Sequence, residues 1–174
     1  MRYILTLFLT FFLTNCVAGM KPEDFKDQKP RLIIEEFLKG NVKAYGILQN
    51  RSGKVTRQFS ANLNGKWDGS QLILDEKFNW SDGEVQTRQW KIIKKNNNYY
   101  EGTAADVVGT AKGYSYGPAF KFEYVLLVPV KGREIKITFD DWIFKQDERV
   151  AINRAKMTKF GLKVAELTVM FVKD

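Results

Sequence analysis

From residue 42 to residue 171 the chain alternates apolar and polar positions in short runs separated by turn signals. Alternation with a period of two is the signature of half-buried β-strands. Runs are predicted over 42–49, 54–64, 71–80, 84–95, 120–130, 135–145, 148–157 and 165–171. In 54–64, Val55, Phe59, Ala61 and Leu63 share a face that Arg57 interrupts. In 71–80, Leu72, Leu74, Phe78 and Trp80 oppose Asp75, Lys77 and Asn79. The clearest run carries Phe120, Phe122, Tyr124, Leu126 and Val128 on one side. Two weaker strands, 99–106 and 107–116, are rich in Gly and Ala. Turns are marked by Asn50-Arg51-Ser52-Gly53, Asp68-Gly69, Ser81-Asp82-Gly83 and Lys131-Gly132. Ahead of the strands, Ile33, Ile34, Phe37 and Leu38 fall on one helical face, and Gly40 stops it.

The pattern predicts an all-β fold of about ten short strands with one short N-terminal helix. Nearly all links are hairpin-sized, so the topology is an antiparallel up-and-down meander. A meander of 8–10 strands hides its edges best by closing into a barrel, which is preferred here over a sandwich. One domain, 32–174, accounts for all of it. The helix is placed to plug or flank one end.

The N-terminus has a different pattern. Arg2 precedes an uncharged apolar run, 4–13, that ends in Leu13-Thr14-Asn15-Cys16. The run is too short for a membrane-spanning helix, which takes ~20 apolar residues, and suits a secretory signal. It resembles a bacterial lipoprotein signal. That resemblance makes 1–15 a signal peptide, Cys16 the lipidated first residue of the mature chain, and 16–31 a flexible tether with two prolines. It implies a triacylated, palmitate-bearing cysteine in the cell envelope. With Val17 next, it implies the inner leaflet of the outer membrane, facing the periplasm. Secretion with cleavage near Ala18-Gly19-Met20, or an uncleaved anchor, are the alternatives.

Composition narrows the chemistry. There is no histidine and one cysteine, Cys16. The commonest general base near neutral pH is therefore missing, as are His-based zinc sites and the Ser-His and Cys-His nucleophile systems. No catalytic residue, metal or cofactor is expected. The net charge of +8 fits either anionic lipid headgroups or a merely soluble surface. Nucleic acid is not an expected partner of an exported chain.

Four polar clusters punctuate the strands: Arg51-Ser52-Gly53-Lys54-Val55 with Gly65-Lys66-Trp67-Asp68-Gly69; Asp82-Gly83-Glu84 with Arg88 and Trp90; the glycine-bearing stretch 101–113; and Phe139-Asp140-Asp141-Trp142 with Ile152-Asn153-Arg154 and Lys159-Phe160-Gly161. In order and spacing they resemble an uncharacterised family of bacterial lipoproteins with a lipocalin-like domain. The resemblance runs from about Arg31 to Val172 and implies fold and address, not an activity. Glycines 102, 109 and 113 do not fit a dinucleotide loop; they mark bends or thin walls that leave interior room. Counting outward from Gln146-Asp147 places Asp141 or Asp140 near Asn153 or Arg154. Arg88, Asp106 and Trp142 are candidates for the same ligand-binding polar network, and Tyr114 for the lining of a mouth. The functional expectation is a non-enzymatic binder of a hydrophobic or amphipathic small molecule of the lipid or fatty acid class. Its alternatives are a filled barrel that docks an envelope protein, and an enzyme of envelope lipid or glycan metabolism relying on Asp and Arg.

Overall fold

The computed structural model describes residues 19–174. A 3-10 turn (Pro22–Phe25) and one turn of helix, α1 (Ile34–Phe37), precede ten strands. These are β1 (Gly40–Asn50), β2 (Val55–Trp67), β3 (Gln71–Trp80), β4 (Val85–Lys94), β5 (Tyr99–Thr103), β6 (Ala111–Tyr116), β7 (Ala119–Val130), β8 (Arg133–Lys145), β9 (Val150–Lys159) and β10 (Leu162–Lys173). Each strand pairs antiparallel with its chain neighbours, and β1 pairs with β10, so the meander closes into a barrel. Closure leaves no unpaired edge. On the long strands the apolar phase mostly points inward and the polar phase outward, as with Thr56, Gln58, Ser60 and Asn62 on the outer face of β2; Trp142 and Phe144 on β8 and the exposed Tyr45, Ile152 and Met170 are outward exceptions. A barrel with that polarity faces water, since a lipid-facing barrel carries its apolar band outside.

The two ends differ. At the end where β1 starts, Leu32, Ile34, Phe37 and Leu38 enter the lumen and plug it against Val42, Leu72, Ile92, Tyr100 and Phe120. α1 carries Ile34 and Phe37 inward three positions apart, as one helical face allows. The plug is tied to the wall by backbone: Leu32 N–H donates to the Gly117 carbonyl at 2.8 Å, and the Ser115 hydroxyl donates to the Leu32 carbonyl at 2.9 Å. Gly65 is required there, because a Cβ would overlap the Leu38 carbonyl oxygen. The opposite end is a mouth ringed by hairpin turns. Among the described residues, the ten strands close on themselves and, with the plug, enclose the hydrophobic interior.

Three local expectations change. The weak strands 99–106 and 107–116 shorten to β5 and β6, because the stretch between them bonds sideways to β7. Val108 N–H donates to the Val125 carbonyl at 2.8 Å, and Leu127 N–H donates to the Asp106 carbonyl at 2.9 Å. The glycines of that region do thin the wall, but aromatic rings occupy the room: a Cβ on Gly113 would come within 2.8 Å of Phe120, and one on Gly102 would overlap Phe122. Finally, over its described part the tether is pinned rather than free. Phe25 packs on Trp142 and Phe144, with ring centroids 6.0 and 5.3 Å apart, on the outer face of β8. Cys16 and the signal segment lie outside the described residues.

Candidate functional site

Halfway down the lumen, below the mouth, six polar side chains meet inside an apolar wall. β3 places Glu76 on the same inward phase as Leu72, Leu74 and Phe78, and the register sets it directly opposite Arg88 on β4. Arg88 grips Asp106 with its guanidinium, Nε to Oδ2 at 3.0 Å and an Nη to Oδ2 at 2.8 Å. Asp106 reaches this point because loop 104–110 lies against β7. A second Arg88 nitrogen stands 3.8 Å from Glu76 Oε2, an ion-pair distance but not a hydrogen bond. Across the lumen, Asp141 on β8 accepts from the Tyr124 hydroxyl at 3.0 Å and from the Asn153 amide. Asn153 also donates to the Trp142 carbonyl at 3.1 Å.

Burial governs the charges. Desolvation pushes the Glu76 carboxyl up to about 7; Arg88 counteracts it, while Asp141 and Asp106 add to the rise. Asp141 is pushed up to about 6, again by desolvation first, with the hydrogen bonds from Asn153 and Tyr124 opposing. Burial and the Asp141 charge hold the Tyr124 phenol well above its ordinary value. Burial alone would lower the Arg88 guanidinium, but Asp106 and Glu76 outweigh it and keep it firmly charged. Glu76 Oε2 is buried and accepts no well-aligned hydrogen bond; the Trp90 side chain comes near enough to the carboxyl to lower it, the weakest of the influences named. The cluster thus has three carboxyls against one guanidinium, and one acceptor without a donor.

Two chambers adjoin the cluster. One of about 100 Å³ lies between it and the plug, lined by Leu74, Trp90, Phe122, Ile143 and Val169 among others. One of about 210 Å³ lies toward the mouth, walled by Trp80, Leu126, Val128, Phe139 and Met157. Phe59, Phe78, Arg88, Tyr124 and Leu167 line both, so the chambers are neighbours across the cluster. Together they reach the lower end of the volume range of small-molecule sites, ~300 Å³. A wider polar groove of about 860 Å³ crosses the outer faces of β2 to β4, and Glu76, Arg88 and Asp106 border it too. Short β5 and β6 make the wall thin at this place.

Of the residues expected from the sequence, Arg88, Asp106 and Asp141 sit in this cluster. Three others lie elsewhere. Arg154 falls on the outward phase of β9 and pairs with Glu166 on β10; Asn153, one residue earlier, takes the inward place beside Asp141. Trp142 is buried, but on the outer face, under Phe25, with its indole N–H on Asp140 at 3.0 Å. Tyr114 is on the outward phase of β6 and packs on Tyr99, centroids 5.5 Å apart. The sequence reading missed Glu76 and Tyr124 as site residues, and had Asn153 only as one of two neighbours, with Arg154, for the acid pair. Glu76 carried a signal: it is the lone charge on the apolar phase of β3.

Solved structures with this shape are distant in sequence. A protein of unknown function from the DUF3598 family of Nostoc punctiforme superposes with a TM-score of 0.63 at 13% identity, over 84% of this chain and 51% of that one. This chain thus spans about half the length of that relative. The S-type phycobiliprotein lyase CPES from Guillardia theta superposes with a TM-score of 0.58 at 7% identity, over 80% of this chain and 90% of that one. At such identities the likeness establishes a lipocalin-like barrel and nothing finer. The search of curated proteins gives no match. The model of one family, described as a protein of unknown function (DUF3833), matches residues 10–173, and the chain belongs to that family.

Proposed function

We propose that the barrel binds a small, mostly apolar molecule of the lipid class whose polar end donates hydrogen bonds. The observation that carries this reading is Glu76 Oε2, a buried acceptor without a donor, on a side chain that borders the inner chamber and stands opposite Arg88, which lines both. A buried polar atom left unpaired costs ~1–3 kcal/mol, and a ligand donor would recover much of that. The aromatic and aliphatic walls supply the rest of the attraction. The same cluster disfavours a fatty acid anion. Arg88 is already occupied by Asp106, and the surrounding carboxyls repel a further negative charge. An alcohol, an amine or an ester with a free hydroxyl suits the site better than a carboxylate. The lipocalin-like shape is compatible with this role. A barrel filled throughout, acting only through its surface, fits less well with two chambers beside an unpaired acceptor. In this reading Cys16 is lipidated and tethers the binder to the periplasmic face of the outer membrane; Cys16→Ser would then move it from the membrane fraction to the soluble fraction.

The test uses residues 19–174 and N-phenylnaphthylamine, an apolar fluorophore with one N–H donor. Saturable enhancement is expected, reversed by a long-chain alcohol more readily than by the matching carboxylate at pH 8. Glu76→Leu should erase that preference. The proposal fails if enhancement does not saturate, or if the carboxylate displaces the probe better than the alcohol.

A further inference from the structure

The mouth carries apolar side chains where a soluble hairpin has no use for them. β9 and β10 are joined by Phe160-Gly161, and β7 and β8 by Lys131-Gly132, each a two-residue loop between paired flanks. Both central residues of both loops have positive φ: 51° and 78° for Phe160 and Gly161, 48° and 76° for Lys131 and Gly132. Such loops favour Asn or Asp first and Gly second. A phenylalanine in left-handed backbone is strained, and here its side chain is also unprotected. Phe160 is 94% exposed and Leu162 beside it 68%. Val130 on the neighbouring tip is exposed as well. Two costs, one of backbone and one of solvent, fall on one residue at a hairpin tip of the mouth.

Cations predominate around these tips. Arg51 and Lys54 on the β1–β2 turn, Lys131 and Arg133 on the β7–β8 turn, and Lys159 and Lys163 beside Phe160 form a cationic arc. The acids nearest in the chain are Glu134, on the β7–β8 hairpin, and Glu166, which is engaged by Arg154 and Lys163. Asp82 and Glu84, on the far side of the rim, are held by Arg57. Just below the arc the inner wall is apolar through Val128, Ile135, Met157 and Val164, down to Leu126 and Phe139.

We infer that this arc of the mouth docks onto an anionic lipid surface, with Phe160, Leu162 and Val130 entering the headgroup boundary and the cations meeting the phosphates. Apolar tips flanked by Lys and Arg are the chemistry that binds such a surface. A protein groove of matching shape would explain the exposed ring, but not the excess of cations beside it. The docked mouth would open the apolar inner wall directly toward lipid. The inference does not depend on what the lumen holds. The rim is also at the opposite end from the plug, where the described chain begins its path, so the surface it meets need not be the one that holds the N-terminus.

Residues 19–174 contain no cysteine, so a single reporter can be placed at will. A nitrobenzoxadiazole label on Leu162→Cys should brighten and shift to the blue with vesicles of equal parts phosphatidylglycerol and phosphatidylcholine. The same label on Asn96→Cys, in the turn at the plugged end, should not respond. Phe160→Asn should weaken sedimentation with these vesicles roughly tenfold, the scale of losing one buried aromatic side chain. It should also raise the melting midpoint, because Asn accepts left-handed backbone more readily; a raised midpoint separates lost docking from lost folding. Lys131→Glu should weaken sedimentation by at least about fivefold, the scale of one surface charge. Equal response of the two labels, equal binding to pure phosphatidylcholine, or binding unchanged in Phe160→Asn would overturn the inference. So would self-association of the protein that Phe160→Asn abolishes, which would assign the tips to a second copy of the chain.

Discussion

The two halves of the lumen handle the same problem, a buried carboxylate, in opposite ways. At the plugged end Glu35 is 4% exposed and accepts from Lys94 Nζ at 2.6 Å and from the Tyr100 hydroxyl at 2.9 Å. Each of its oxygens has a donor. In the mouth half Glu76 has Arg88 at ion-pair distance but leaves Oε2 without a well-aligned hydrogen bond. Side chains around Glu35 pack against the plug, while those around Glu76 border open chambers. A satisfied buried charge fixes a structure, whereas an unsatisfied one beside free volume marks a place for something else. The barrel is thus a scaffold at one end and a receptacle at the other.

Changes at the plugged end should cost stability most. Gly65→Ala drives a methyl into the Leu38 carbonyl, and backbone cannot step aside as a side-chain tip can. A loss of about 3 kcal/mol, the upper range for overpacking, is expected in urea unfolding. Affinity for N-phenylnaphthylamine should fall far less than stability wherever the protein is folded, because the mouth-side chamber has no plug residue in its lining. Glu35→Ala comes next. It strands the Tyr100 hydroxyl and the partly exposed Lys94 ammonium, at about 2 kcal/mol. Since 1 kcal/mol moves the midpoint of a domain this size by ~2–4 °C, differential scanning calorimetry should register a fall of several degrees. If either change left stability untouched, the plug would not be the rigid half of the comparison.

The division between the halves was only partly legible in the sequence. Ten strands, their hairpins and their closure follow from alternation and turn residues, which report local backbone and burial. Alternation also places Asp141 and Arg88 on the inward phase of their strands. It leaves a choice where neighbours in the chain are split between faces: Asn153 and Arg154 were both open as partners of the acid pair, and one step of pleat turns Arg154 outward and gives Asn153 the place beside Asp141. Trp142 shows that a buried aromatic need not be inside the barrel, because Phe25, more than a hundred positions earlier, covers it from outside. The place of Asp106 depends on a loop abandoning its own hairpin for β7, a choice made by tertiary packing. Glu76 could have been found as a charge out of phase with its strand. Its missing donor could not, since that is a property of the assembled lumen.

The smallest expected effect is the most specific to the mouth half. Glu76 and Asp141 bind protons more tightly in the folded barrel, near 7 and 6, than carboxyls do in the unfolded chain, near 4.5 and 3.8. Between those values the native state holds more protons than the unfolded state, so stability must fall as pH rises from about 5 to about 8. The chain has no histidine, so no ordinary side chain titrates across that window to blur the trend. Conversion at ~1.4 kcal/mol per unit gives an upper bound of about 3 kcal/mol for Glu76. Water in the adjoining chamber should reduce the realised effect to about 1 kcal/mol. Glu76→Gln removes the charge while keeping the shape. It should leave stability nearly unchanged at pH 5, raise it at pH 8, and flatten the slope between them to what Asp141 alone contributes. Urea midpoints measured at both pH values decide the matter. A slope that persists unchanged in Glu76→Gln would mean the carboxyl is already fully paired, as Glu35 is, and the two halves of the lumen would then not differ in the way that makes one of them a binding site.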